Sequence, residues 1–140
     1  MLLVLLGAPG AGKGTQADVL ADQIGVAHVS SGDLLREHRA NKTELGTQAQ
    51  SYMDKGDLVP DGLVIRMVLN RLDQEVNGTG VVLDGFPRTE PQAVALDMAL
   101  AGKEIACVLY VKVPEDELIR RLGGRYNCRL CSRPFPEEAA

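Results

Sequence analysis

The stretch GAPGAGKGT, Gly7 to Thr15, lies between an apolar run that ends at Leu6 and a helical pattern. Its glycines let successive backbone N–H groups curl around phosphate oxygens, and the N-terminus of the following helix adds positive potential. Lys13 has the reach to contact the outer phosphates of a nucleotide. The stretch therefore predicts a phosphate-binding loop between a strand and a helix; a tight strand-to-helix turn without a ligand is the alternative.

One position of this loop departs from the strict P-loop pattern. That pattern has Ser or Thr directly after the lysine, whereas here Gly14 follows Lys13 and Thr15 comes one residue later. The loop is therefore a variant, and the general pattern does not by itself predict a hydroxyl that faces a metal ion.

The composition and charge indicate one globular domain. The chain has 140 residues, of which 45% are hydrophobic, and a formal net charge of -4. An acidic balance argues against a general nucleic-acid binder, which needs a basic surface.

The apolar runs are too short for a membrane span, and the one before the loop is shorter than the core of a signal peptide. Three cysteines fit a reducing compartment, so we expect a cytoplasmic monomer without membrane or nucleic-acid partners.

Strands alternate with helical patterns along the chain, which predicts an α/β fold with a doubly wound parallel sheet and helices on both faces. Continuous apolar runs predict strands that are buried on both faces. These runs lie at residues 2–6, 26–30, 80–84 and 105–113.

Apolar spacing predicts the helices between these strands. The first follows the loop over residues 17–24 and ends at the cap residue Gly25. A helical stretch of about forty residues follows the second strand, with breaks near Asn41 and at residues 55–62. The last predicted helix begins near Thr89 and stops before residue 102.

Within the long helical stretch, side-chain spacing predicts which faces are buried. One helix has Leu45, Ala49 and Met53 on a single face. Asp61 is predicted to cap the next helix, which carries an apolar stripe at Val64, Val68 and Leu72.

A second polar cluster follows the third predicted strand, in VVLDGFPRTEPQ, residues 81–92. Asp84 lies at the carboxyl end of that strand, where α/β sheets bind ligands, and its carboxylate could hold the waters of a phosphate-bound Mg²⁺. A turn carboxylate that bonds its own backbone is the alternative. Gln92 lies three residues after Thr89, so one possibility is that its side chain does no more than complete a helix-capping box. Its amide could instead pair with the edge of an adenine base.

Taken together, these pieces resemble the adenylate kinase family. The resemblance rests on GAPGAGKGTQ, VSSGDLLRE, KGDLVPD, LDGFPRT followed by PQA, and VPEDELIRRLGGR, which occur in the family's order. It covers nearly the whole chain as far as Arg125. It implies reversible transfer of the terminal phosphoryl group of ATP to AMP, which yields two ADP and requires Mg²⁺.

The resemblance also implies which residues bind the nucleotides. The ATP site would consist of Gly10, Ala11, Gly12, Lys13, Gly14, Thr15 and Arg125. The AMP site would consist of Ser31, Arg36, Asp57, Leu58, Val59, Gly85, Phe86, Pro87, Arg88 and Gln92. The catalytic residues would be Lys13, Asp84, Arg88, Arg121 and Arg125.

The chemistry of the acceptor agrees with a site built from cations. The second pKa of a nucleoside monophosphate is near 6, so its attacking oxygen is ionised at neutral pH and needs no general base. We therefore expect His28 and His38 to have packing or solvent roles. Arg120 is expected to lie on a solvated surface.

The resemblance divides the chain into a nucleotide kinase core at residues 1–125, with a helical AMP-binding insertion at 31–60, and the start of a lid at 126–140. Within that lid, Cys128 and Cys131 have the spacing of half a zinc site, with two ordinary thiols as the alternative. Cys107 lies in an apolar strand and is predicted to be part of the core.

The rest of the family's lid and its last strand and helices are absent from the 140 residues, which predicts an unprotected edge along residues 105–111. We expect this chain to bind ATP weakly and to form ADP at a small fraction of a full-length relative's rate. The alternatives are a kinase of the same fold for UMP or CMP, and a nucleotide-binding fragment without turnover.

Overall fold

Four parallel strands form the central sheet: β1 (Leu2–Gly7), β2 (Ala27–Ser30), β3 (Val81–Asp84) and β4 (Cys107–Val111). Their order is β2-β3-β1-β4, and β1 is paired on both sides in parallel. The structure is a computed structural model that describes residues 1–55, 57, 59–75, 78–128 and 134–136. All four strands were predicted from the apolar runs, with small shifts at their ends.

Helices connect the strands and cover both faces of the sheet. Within the described residues they are α1 (Lys13–Ile24), α2 (Ser31–Ala40), α3 (Glu44–Met53), α4 (Asp61–Glu75), α5 (Glu90–Leu100) and α6 (Glu115–Gly123). Gly25 ends α1 in the left-handed conformation with φ 68°, and the Thr89 hydroxyl caps α5 by accepting from the Gln92 N–H. The predicted α/β class and both of these helix ends are confirmed.

The core has two halves because the side chains of a strand alternate between the faces of a sheet. Leu2 and Val4 of β1 face the half that includes Val68 and Leu72 of α4 and Leu96 of α5. On the other face, Leu3, Leu5 and Val82 pack against Ala17 and Ala21 of α1. The small side chains of Ala17 and Ala21 are the part of α1 that is buried against the sheet.

The outer strand β4 corrects the prediction for Cys107. This residue is exposed, as are Val108 at 53% and Tyr110 at 67%. The prediction was wrong because it rested only on the apolar character of the strand, whereas β4 is the end strand of the sheet among the described residues and its side chains are left uncovered. The edge predicted along residues 105–111 is confirmed for this strand.

The predicted buried face of α3 is also partly wrong. Ala49 is buried, but Met53 is 39% exposed. The helix packs against α2 at Gly46, where an added Cβ would lie 2.1 Å from the His38 carbonyl oxygen. The contact between the two helices therefore depends on the missing side chain of a glycine, and an apolar stripe does not predict such a contact.

Asp61 does not cap α4 as predicted, because it is the first residue of that helix. Its carboxylate accepts hydrogen bonds from the Thr89 hydroxyl at 2.8 Å and from the Gln92 amide at 2.6 Å. The side chain therefore links the start of α4 to the start of α5.

A short hairpin, which the sequence patterns did not predict, follows α6. It pairs β5 (Arg125–Asn127) with β6 (Pro134–Pro136) in antiparallel register. The rings of Tyr126 and Phe135 stack across it, with centroids 6.2 Å apart.

The burial of Met67 predicts a large loss of stability when its side chain is shortened. Met67 on α4 is 1% exposed, whereas Met98 on α5 is 77% exposed. Met67→Ala should lower the free energy of unfolding by about 2–5 kcal/mol, because it removes buried apolar atoms and leaves a cavity. Met98→Ala is the matched control and should change it by less than about 0.5 kcal/mol. Urea denaturation measures both values, and equal losses would contradict the assigned core.

Candidate functional site

A cavity of about 1040 Å³ opens at the carboxyl ends of the strands. The loop after β1, the start of α2, the turn after β3 and α6 contribute to its walls. In a parallel sheet these chain segments meet at one edge, which is where open α/β sheets bind their ligands. Predicted site residues that line the cavity are Gly10, Gly12, Lys13, Gly14, Thr15, Arg36, Asp84, Gly85, Pro87, Arg88 and Arg121.

The glycine-rich loop has the backbone shape that an anion site requires. Gly10 and Gly12 have φ values of 82° and 90°, a region that favours glycine over other residues. Helix α1 begins directly after Gly12, at Lys13. The Lys13 ammonium donates to the Ala8 carbonyl at 3.0 Å, so its charge lies over the loop.

Helix α6 brings an arginine to this loop. The Arg121 guanidinium lies 3.5 Å from the Gly10 carbonyl oxygen, and an added Cβ at Gly10 would lie 3.2 Å from the Leu122 side chain. Glu117 accepts from Arg121 at 2.7 Å and from Arg120 at 2.8 Å. Arg120 and Arg121 together lower the pKa of Glu117 to about 2. Glu117 therefore stays ionised and orients Arg121 at neutral pH.

A second group of polar atoms surrounds the turn after β3. The Gly85 carbonyl accepts from the Ser31 hydroxyl at 2.7 Å and from Arg88 Nε at 2.6 Å. Gly85 has φ 70°, and an added Cβ there would lie 2.7 Å from Arg88 Nη2. A side chain at this position would therefore displace the guanidinium. The turn holds Arg88 against Ser31 and leaves Arg88 at the wall of the cavity.

Arg36 adds a further cation to the same wall. One of its terminal nitrogens bonds Asp33 at 2.6 Å. Its Nε is buried without a hydrogen-bond partner among the described residues. An unsatisfied buried donor in a cavity wall suits an anionic ligand, because leaving such a group unpaired has an energetic cost.

Gln92 forms only half of the predicted capping box. The Thr89 hydroxyl accepts its backbone N–H at 3.4 Å, which is half of a capping box. The Gln92 side chain instead accepts from the Arg88 backbone N–H at 2.8 Å and donates to Asp61. It is 4% exposed.

Other predicted site residues differ in how they could contact a ligand. The Phe86 side chain is fully buried in the core, so only its backbone could face a ligand. Ala11 lies in the loop at 5% exposure, and Asp57 and Val59 belong to the segment before α4. Leu58, Cys131 and the side chain of Arg125 lie outside the described residues.

Asp84 and His28 form a polar pair that sequence reasoning missed. Asp84 is 8% exposed, and its Oδ1 has no hydrogen-bond partner among the described residues. Its Oδ2 lies 3.7 Å from His28 Nε2, while His28 Nδ1 lies 2.6 Å from Asp18. Only the parallel register, which pairs His28 with Val82 two residues before Asp84, could have revealed this contact.

The two carboxylates change the acidity of His28. The Asp84 carboxylate is the main cause of its raised pKa; partial burial opposes the rise, and the hydrogen bond to Asp18 adds to it. At 3.7 Å, Asp84 acts through charge attraction more than through a short hydrogen bond. His28 therefore contributes to the electrostatics of the cavity, and the expected packing or solvent role is incomplete.

The described part of the chain contains no group of three or more His, Cys, Asp or Glu side chains arranged to hold a metal ion. Cys128 is partly buried after β5, while its predicted zinc partner lies outside the described residues. None of the described helices is long and apolar enough to cross a membrane.

The loop between β1 and α1, with a carboxylate at the end of the neighbouring strand, is the arrangement of a P-loop protein of the α/β class. The family model described as adenylate kinase matches residues 5–134. The chain belongs to the adenylate kinase family.

Curated relatives named adenylate kinase show how much of the chain is shared. The protein of Caldicellulosiruptor saccharolyticus is 52% identical over 96% of this chain and 64% of its own length. That of Dehalococcoides mccartyi strain BAV1 is 49% identical over 99% of this chain and 65% of its own length. The protein of Methanothrix thermoacetophila is 50% identical over 96% of this chain and 63% of its own length. The chain thus spans somewhat less than two thirds of the length of these relatives.

Replacing His28 should remove a contribution to stability that depends on pH. Because the folded protein raises the pKa of His28 above its ordinary value of 6.5, the charged ring stabilises the fold fully below that value. The contribution is lost as the pH rises through the raised pKa. The stability difference between wild type and His28→Gln should therefore be largest below pH 6.5 and shrink as the pH rises above that value. Urea denaturation at several pH values measures this difference.

The control is Asp22→Asn, which removes an exposed carboxylate from the same helix as Asp18. It should leave the pH dependence of the wild type in place, whereas Asp18→Asn should reduce it. A His28→Gln difference that grows with pH would contradict the assigned ion pairs.

Proposed function

We propose that this chain carries the nucleotide sites of an adenylate kinase, which transfers the terminal phosphoryl group of MgATP reversibly to AMP and yields two ADP. The observation that carries the proposal is one cavity with two anion sites in its walls. The loop with Lys13 suits the phosphates of the donor, and Arg36 and Arg88 suit the phosphate of the acceptor.

The charges in the cavity fit phosphoryl transfer without a general base. Arg88 and Arg121 reach the cavity from different elements, so they can neutralise charge on both sides of a transferring group. Phosphoryl transfer needs little covalent chemistry from the protein, and it depends on positioning and on charge stabilisation. The acceptor phosphate is already ionised at neutral pH.

Asp84 fits the Mg²⁺ that the family uses with ATP. Its Oδ1 is buried and has no hydrogen-bond partner among the described residues, and its Oδ2 lies 3.5 Å from the Cβ position at Gly14 in the loop. Carboxylate oxygens are preferred Mg²⁺ ligands, directly or through waters. When bound, the ion would neutralise phosphate charge, while Asp84 would be the group that orients it.

The proposal is tested on the 140-residue chain by titrating ATP and AMP separately in a calorimeter and by assaying ADP formation in the same sample. Both nucleotides should bind, and they should not compete for one site. The three cysteines favour a location in a reducing compartment such as the cytoplasm. A chain that folds but binds neither nucleotide would refute the proposal.

Lys13→Ala should weaken ATP binding strongly, because it removes the cation that lies over the loop. Charged hydrogen bonds contribute about 1.5–3 kcal/mol, which is roughly ten- to a hundredfold in affinity. Lys103→Ala, an exposed lysine far along the chain, should leave the ATP affinity unchanged. Calorimetry measures the ATP affinity of both variants. If the two affinities are equal, Lys13 does not belong to the ATP site.

Arg88→Ala should weaken AMP binding roughly ten- to a hundredfold and leave ATP binding within about twofold, because Arg88 lies at the acceptor turn. Arg66→Ala is the control, since Arg66 is an exposed arginine on α4 that bonds Gln48. Separate titrations with AMP and ATP give the comparison. A similar loss for both nucleotides would contradict the division of the cavity into two sites.

A further inference from the structure

The Gln92 amide has a fixed orientation because its two ends meet partners of opposite kind. Its Nε2 donates to Asp61 Oδ1 at 2.6 Å, and its Oε1 accepts from the Arg88 N–H at 2.8 Å. A carboxylate can only accept and a backbone N–H can only donate. Turning the amide by half a rotation would place two acceptors against each other at Asp61 and two donors against each other at Arg88.

The environment makes that rotation costly. Gln92 is 4% exposed, so water cannot readily satisfy the mismatched groups. Asp61 is itself held, because its Oδ2 accepts from the Thr89 hydroxyl at 2.8 Å. Asp61 is the part of this arrangement that a single substitution can remove, since the other partner is backbone.

The held amide has unused hydrogen-bonding capacity on each end. An amide nitrogen carries two hydrogens and an amide oxygen has two lone pairs. With one bond made at each end among the described residues, one N–H and one lone pair remain. The partners of the amide therefore determine which of its ends offers a donor and which offers an acceptor.

Nucleobases fall into two classes according to the hydrogen-bonding groups that they present to such an amide. Adenine and cytosine present an exocyclic amino donor beside a ring nitrogen acceptor. Hypoxanthine, guanine and uracil present a carbonyl acceptor beside a ring N–H donor. An amide in one orientation can match only one of these classes, and good paired contacts of this kind contribute about 1–3 kcal/mol of discrimination.

We propose that Asp61 is a positioning residue for base selection: its carboxylate holds the Gln92 amide in the orientation that accepts amino bases and rejects oxo bases at the monophosphate site. This inference rests on the proposed function, because it takes the base of the acceptor nucleotide to lie against Gln92. Asp61 does not touch the base itself and acts only through Gln92.

The test uses IMP, which differs from AMP by an oxo group in place of the amino group and by a ring N–H in place of the bare ring nitrogen. Wild-type chain titrated by calorimetry should bind AMP at least about tenfold more tightly than IMP. It should also bind CMP more tightly than UMP. Equal affinities for AMP and IMP, or a preference for IMP, would overturn the inference without any variant.

Two variants then separate positioning from a general effect on structure. Asp61→Ala removes the acceptor and should reduce the AMP-to-IMP affinity ratio by about tenfold. Asp61→Asn keeps an oxygen for Gln92 Nε2 and an amide donor for the Thr89 oxygen, so it should retain the ratio within about threefold. Asp73→Ala, which removes an exposed carboxylate from the same helix, should leave the ratio unchanged.

Titration with ATP serves as the folding control, since the loop site does not involve Asp61. Should Asp61→Ala fail this control, Asp61→Leu replaces it, because it keeps the side-chain size and also lacks an acceptor. A variant without the acceptor that binds ATP normally and keeps the wild-type AMP-to-IMP ratio would overturn the inference and leave the proposed function intact. A wild-type chain that binds ATP but no AMP would overturn the proposed acceptor site, and the inference would fall with it.

Discussion

The parallel pairing of β1 with β3 is the constraint on which the site depends. It places Leu5 opposite Asp84, while β2 places Ser30 opposite the same residue. Because all the strands run in one direction, the loop after β1, the start of α2 and the turn after β3 leave the sheet at the same edge. A shift of register would separate the phosphate loop from Asp84 even if every helix still formed. The backbone ladder, more than any single side chain, brings the two halves of the cavity together.

Polar groups at this edge are arranged at some expense of stability. Asp84 Oδ1, His28 Nε2 and Arg36 Nε are all buried without hydrogen-bond partners among the described residues, and buried polar groups are normally paired. Carboxylate and guanidinium nonetheless line one cavity. A ligand with both a metal ion and a phosphate would satisfy the two kinds of group together. A folded protein can retain such a site because the apolar core on both faces of the sheet supplies stability elsewhere.

Features that depend on neighbours in sequence were predictable, and features that depend on distant contacts were not. The apolar runs, the glycines of the loop, the left-handed Gly25 and the Thr89 cap are local signals, and each corresponds to an observed element. Cys107 was assigned to the core because its strand is apolar, but its exposure depends on which strands flank it. Gly46 packs against His38 through the absence of a side chain, and apolar periodicity carries no signal for that. Asp61 resembles a helix cap locally, yet its partners Thr89 and Gln92 come from another helix.

The same distinction separates the two parts of the candidate site. On the proposed donor side, the loop and the N-terminus of α1 form one continuous segment, which is why the sequence predicted this part most directly, whereas Arg121 joins it from α6. The acceptor side combines α2, the start of α4 and the turn before α5, and its residues contact one another across 57 positions from Ser31 to Arg88. In the proposed acceptor site, arginines would contact the phosphate, whereas the base contact would depend on Gln92, whose amide bonds a residue 31 positions away. Under that proposal, base preference would change through a residue outside the glycine-rich loop that acts only by orienting Gln92.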